Sequence, residues 1–149
     1  MGNALAFDAK NLSTVNTVGL LTHVTKSMVI HGFAFTPALE NALKECLTLG
    51  KHTGIIHFTP RSATKYLRAH KEMQPWGHKL PLQCPQCCRL NAWTLVFLEI
   101  GYQIECKHQD CGEIGGRRVA RPFSFPAPRP QDFELLGTGT SKWLKFSAE

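Results

Sequence analysis

The chain has 149 residues, 43% of them apolar and 19% charged, and carries a net charge of +6 with its histidines neutral. A body of that size buries roughly 70% of the surface its unfolded chain exposes, so a core that needs no disulfides is feasible. The composition excludes a disordered or fibrous chain, and no run approaches the roughly 20 apolar residues of a membrane span.

Taken in chain order, residues 1–16 are polar and weakly patterned, and residues 1–26 read as a weakly ordered lead-in. Asp8 and Lys10 interrupt any apolar stretch, which argues against a secretory signal. Position 6 is alanine, so the Met1-Gly2 start fails the myristoylation pattern. Val18 to Val24 suggests extended chain, and Ser27 to Phe33 a buried strand. Thr36 and Pro37 then fit the cap and first position of a helix. Leu39, Leu43, Cys46 and Leu47 recur at helical spacing, with Gly50 placed to end the helix.

The same phrase recurs twenty-three residues later, where a strand over Thr53 to Phe58 leads into Thr59-Pro60. Ala63, Tyr66, Leu67 and His70 follow as the stripe of a second helix. Two strand–helix repeats predict a parallel pair with a right-handed crossover, a small α/β unit over residues 27–80. Both Thr-Pro helix starts would then open on one sheet edge, an arrangement that ordinary capping explains without an anion site.

Gln74-Pro75-Trp76-Gly77 breaks the pattern and leads to Cys84-Pro85-Gln86-Cys87, with Cys106 and Cys111 following. Two close cysteine pairs separated by a hairpin's length of chain match the demands of a tetrahedral zinc ion. Between them Trp93 to Ile100 is strongly β-prone, and Gly101-Tyr102 offers a turn into Gln103 to Cys106. Arg117 to Phe123 reads as a third strand. Four prolines within residues 122–130 predict an extended linker, so residues 124–149 read as a Pro-rich linker and tail. That tail can dock through Phe133, Leu135, Leu136, Trp143, Leu144 and Phe146. Gly137 to Lys142 lacks the Gly-Lys-Ser/Thr order of a phosphate loop and reads as a flexible turn.

Residues 81–123 resemble the zinc-ribbon class, which implies Cys84, Cys87, Cys106 and Cys111 as ligands of one structural zinc. Cys88 stands where ribbons commonly carry glycine or a polar residue, and His108 lies inside the second turn. Either is an alternative ligand. Four thiolates close the coordination shell, unlike the open position of a catalytic zinc or the three protein ligands of zinc deaminases. A cysteine hydrolase built on His31 would need a nucleophile near Phe58, and none is there. Cys46 and His57 read as core residues.

The expected fold class is therefore α+β: a small α/β unit, a β-hairpin zinc module and a Pro-rich tail. Residues 51–89 hold seven Lys or Arg against one acid, Glu72, a balance that favours polyanion partners. The expected function is nucleic-acid binding through phosphate contacts, with Lys107, Arg117, Arg118 and Arg121 as cationic candidates and Trp93 and Tyr102 as stacking candidates. The alternative is a protein–protein interaction module. The expectation leans away from an enzyme and from membranes. Paired cysteines without a secretory route point to an intracellular setting, nuclear or cytoplasmic.

Overall fold

A computed structural model describes residues 2–9, 12–70, 73–90, 93–98, 101–108, 111, 113–114, 117–118, 123–126 and 128–148. In chain order the elements are β1 (Ala4–Phe7), α1 (Thr14–Val29), α2 (Phe35–Glu45), β2 (Ile55–Phe58), β3 (Ala63–His70), β4 (Trp93–Leu98), β5 (Gly101–Cys106), β6 (Glu113–Ile114), β7 (Arg117–Arg118), β8 (Phe123–Pro126), β9 (Glu134–Leu136) and β10 (Ser141–Ala148). The class is mixed α+β. The chain divides into two compact units, one of residues 1–77 and 129–149, the other of residues 78–128.

The first unit is a five-stranded sheet in the order β1-β2-β3-β10-β9, antiparallel throughout. Both helices pack on one face of it. Leu20 and Val24 of α1 and Leu39 and Leu43 of α2 meet Ile55, Tyr66 and Trp143 in one core. On the opposite face Trp76, Phe133 and Phe146 form an aromatic run with ring centres 5.5 and 6.0 Å apart.

Several sequence expectations give way here. The two strand–helix repeats are not repeats. The first Thr-Pro lies within the opening turn of α2, which begins two residues earlier after Ala34. Proline is tolerated there because the first amides of a helix have no partner in any case. The second Thr-Pro closes a β-hairpin: the Thr59 hydroxyl accepts the amides of Arg61 and Ser62 at 3.3 and 3.0 Å. Phe58 is then paired with Ala63, and β3 runs antiparallel to β2. Among the described residues no parallel pair and no edge of twin helix starts is formed. Ala63, Tyr66, Leu67 and His70 do fit helical spacing, but the period that operates is two, with Tyr66 and Arg68 buried on the helix-covered face.

The chain around Val18 to Val24, expected as extended, is the middle of α1, and Ser27 to Phe33 holds its last turn and exit. The described part of the lead-in also has regular structure. β1 pairs with β2, Asp8 accepts the amide of Gly54, and Asn3 accepts the Nε2 proton of buried His57 at 2.9 Å. Burial lowers the His57 pKa, and the ring stays neutral as a satisfied core group.

The largest revision concerns the tail. Instead of a Pro-rich appendix, residues 129–149 supply β9 and β10, and β10 lies between β3 and β9 inside the sheet. Gly137 and Gly139, with φ of 96° and 87°, take left-handed positions in the turn that joins them. Leu136, Trp143 and Leu144 are buried as the docking expectation requires, whereas Leu135 is exposed.

Gly50, expected to end α2, lies in a short 3-10 turn (Leu49–Lys51) beyond it. A Cβ there would collide with the Arg68 side chain and come within 2.9 Å of the Trp143 ring. Gly50→Ala should therefore cost about 1–3 kcal/mol of stability by overpacking. Urea denaturation of the variant against the parent checks this.

Candidate metal centre

Among the described residues of the second unit, the buried side chains are Cys84, Ile104, Cys106 and Cys111. Its three-stranded sheet runs β4-β5-β8, with β6 and β7 forming a separate two-stranded ladder. β4 and β5 register from Trp93 opposite Cys106 to Leu98 opposite Gly101, so Gly101 and Tyr102 belong to a strand and not to the expected turn. The third strand of the sheet is Phe123–Pro126, pairing with β5, and not Arg117 to Phe123. Part of the expected linker is thus sheet. An edge strand accepts the terminal proline Pro126 because one side of its backbone needs no partner.

The two cysteine turns are built differently. In the first, the amide of Cys84 donates to Arg89 at 3.0 Å and that of Cys88 to Cys84 at 2.8 Å, above an isolated bridge from Gln83 to Leu90. This folds Pro85, Gln86 and Cys87 into a tight loop around the sulfur of Cys84. The second turn is closed by the amide of Cys111 donating to His108 at 3.1 Å. The β4–β5 hairpin brings the two turns together.

The sulfurs of Cys84, Cys87, Cys106 and Cys111 all lie within 4.8 Å of one another, a group that can hold a metal ion. Cys84 and Cys111 are 3.5 Å apart, Cys87 and Cys106 3.6 Å. A disulfide would require about 2.05 Å. Cys84, Cys106 and Cys111 are buried, and Trp93 packs on the group while its indole N–H donates to the carbonyl of Pro81 at 2.6 Å. The Trp93 ring is therefore a wall of the sulfur cluster before it is a stacking surface.

The protonation pattern fits a metal site. Burial works against a thiolate at Cys84, but amides of Cys87 and Gln86 directed at its sulfur outweigh this and bring the thiol down to about 7. Burial and the neighbouring sulfurs push Cys111 up to about 12, and burial also raises Cys106. Four thiolates cannot share so dry a space unless a cation neutralises them.

The alternative ligands stand outside the group. Cys88 is exposed and occupies a left-handed position at φ 56°, the place where a turn of this kind favours glycine. His108 directs Nδ1 at Arg89 Nη1, 2.7 Å away. The chain also has a His-x-Glu triplet, His70-Lys71-Glu72, the signature that deaminases combine with Cys-x-x-Cys. Its histidine accepts the amide of Met73 at Nδ1, 3.2 Å away, and all four positions of the sulfur group are thiols.

Of the other candidates, Lys107 is exposed beside Cys106. Tyr102 is placed in β5 opposite Phe97 and Phe125, and Arg117 and Arg118 make up β7, opposite Ile114 and Glu113. Arg121 lies outside the described residues. Arg89, which the sequence reading did not single out, is exposed and linked to His108; its position directly after Cys87-Cys88 was the available signal.

Charge is distributed differently from the expectation. The second unit holds six Lys or Arg against four Asp or Glu, and the first holds eleven against seven. A divalent ion on four thiolates subtracts two charges, leaving the second unit neutral and the first at +4. Of the basic segment 51–89, Lys51, Arg61 and Lys65 are exposed, whereas Arg68 is buried with its guanidinium on Gln74 and Ser141 at 2.8 and 2.6 Å. Lys65 is in addition 3.6 Å from Asp8.

Comparison with family models, curated proteins and solved structures finds no significant match to this chain. Among the described residues no helix is long and apolar enough to cross a membrane.

Metal content should fall well below one equivalent in Cys84→Ser and Cys87→Ser, while Cys88→Gly keeps it. Because the metal displaces protons from thiols, affinity rises with pH. The ion should be retained near pH 8 and released on acidification to about pH 5. Elemental analysis after desalting at each pH measures this.

Proposed function

We propose that the chain is a zinc-stabilised nucleic-acid-binding protein that contacts mainly phosphates. A tetrahedral ion bound to sulfur at about 2.3 Å sets its ligands about 3.8 Å apart, close to the separations of the two sulfur pairs here. Four soft thiolates in that geometry favour zinc over harder divalent ions. The two turns and the intervening hairpin resemble a zinc ribbon, and a closed four-sulfur shell assigns the ion a structural role. Free thiols of this kind suit a reducing intracellular compartment, nuclear or cytoplasmic.

The observation that carries the nucleic-acid reading is the cationic rim of the sulfur group. Arg89 follows one turn and Lys107 lies within the other; both are exposed, and the Arg89–His108 hydrogen bond of 2.7 Å ties the two turns. Such a rim offers fixed positive groups without a recognition helix, which fits backbone contacts with little base readout. Arg117 and Arg118 on β7 extend the set of cationic candidates, and Tyr102 on β5 is a candidate for base stacking. Lys51, Arg61 and Lys65 on the +4 unit add long-range attraction for a polyanion.

Zinc-loaded protein titrated onto single-stranded DNA, duplex DNA and RNA at several salt concentrations tests the proposal. Affinity should fall linearly on a logarithmic salt scale, and Lys107→Ala and Arg89→Ala should each reduce the slope by roughly one. A flat salt response, or no complex at low salt, would refute it.

A further inference from the structure

Helix α1 buries one side and leaves an apolar surface on the other. Thr17, Leu20, Val24 and Ser27 face the sheet and α2. Of the thirteen large apolar side chains exposed among the described residues, eight fall between Leu12 and Phe33. Val15, Val18, Leu21, Met28, Val29 and Ile30 are 37–83% exposed. A monomer has no use for this surface. With full areas of roughly 150–200 Å² per side chain, the eight expose on the order of 700 Å². The largest apolar patch on an ordinary monomer is about 300–600 Å².

The arrangement on the helix is regular. Val15, Val18, Thr22, Thr25 and Val29 follow one another at steps of three, four, three and four, the a/d spacing of a coiled-coil seam. Every position in that seam is β-branched. Leu21 and Met28 flank it on one side, Gly19 and Lys26 on the other. Leu20 and Ser27, buried against the protein body, lie diametrically opposite. Lys26 is the only formally charged residue of the helix. A partner chosen by opposite charge would find almost nothing to read, whereas a second uncharged heptad seam fits it.

We propose that α1 is the interface of a symmetric homodimer, each copy laying its seam against that of the other. Self-complementarity is what a two-fold contact demands, since the same patch must serve both sides. The area also suffices: stable interfaces bury about 800 Å² per partner, close to what this face offers. Two heptads alone make a marginal coiled coil, so residues 12, 30 and 33 at the ends of the helix contribute to the buried surface. The seam uses no residue of the sulfur group and none of the cationic candidates.

Sedimentation velocity on the zinc-loaded full chain, with reductant present to exclude cysteine cross-links, decides the matter. The parent should sediment as a dimer, twice 16.6 kDa, at micromolar concentration. Val18→Lys and Val29→Lys should each weaken the dimer at least tenfold, and Val18→Ser should weaken it less. Both positions are already exposed, so circular dichroism and zinc content should stay unchanged. A monomeric parent throughout the micromolar range overturns the proposal, as does a dimer that Val18→Lys and Val29→Lys leave intact.

Discussion

The first unit depends on the insertion of β10 between β3 and β9. Eight consecutive residues of β10 register with β3, from Ser141 opposite His70 to Ala148 opposite Ala63. The third residue of β10, Trp143, is fully buried, its indole N–H donating to the carbonyl of Leu43 at 2.7 Å across a hundred residues of chain. That bond shares the Leu43 carbonyl, at the end of α2, with the amide of Cys46, which reaches it at 3.2 Å. The ring also fills the space in front of Gly50 and beside Tyr66. A strand from the last residues of the chain thus completes a sheet begun by the first, and the second unit is carried between Gly77 and Arg129 as an insertion. Trp76 and Phe133, touching ring to ring, tie together the two chain ends that leave for it.

Long-range closure of this kind explains what could and could not be read in advance. α2 was legible because its pattern is one-sided: beyond the first turn Ala38, Leu39, Ala42 and Leu43 go inward, and Glu40, Asn41, Lys44 and Glu45 make up the remainder. β2 was legible as a short apolar run bounded by glycine and proline. The Thr-Pro repeat misled because threonine followed by proline serves equally a helix start and a hairpin turn, and the outcome depends on what comes after. After Thr59-Pro60 comes a segment compatible with periods of both two and nearly four. β10, available only from the far end of the chain, selects the strand. Arg68 hid that choice, since an arginine facing the core contradicts the usual inward pattern. It is accepted only because Gln74 and Ser141 meet its guanidinium.

The metal centre was legible for the opposite reason, that its information is local. Each cysteine pair sits on one turn, and the hairpin between them needs only β-prone sequence to bring the turns together. Among the described residues of this unit the buried side chains are Ile104 and three of the cysteines, so a metal ion held by the four sulfurs would add its stabilisation where the buried groups are. What spacing could not reveal is how the ligands differ. Amides directed at Cys84 draw its thiol toward ionisation, while burial holds Cys106 and Cys111 protonated. Nor does spacing show where the chain divides into units, on which the charge of each unit depends.

The misreading of α1 has a physical content of its own. Its residues are rich in valine and threonine, which favour strands because branching at Cβ restricts their rotamers in a helix. Its exposed side is as apolar as its buried side, so no helical stripe stands out against a polar background. Both properties weaken an isolated helix, and the packing of Leu20 and Val24 against α2 and the sheet compensates. A helix that needed only its buried face would gain solubility and helix propensity from lysine, glutamate or alanine at positions 15, 18, 22, 25 and 29. Valine and threonine at all five run against local propensity and against solvation together. A surface on which two independent preferences are given up at a heptad spacing is one shaped by contact with another helix.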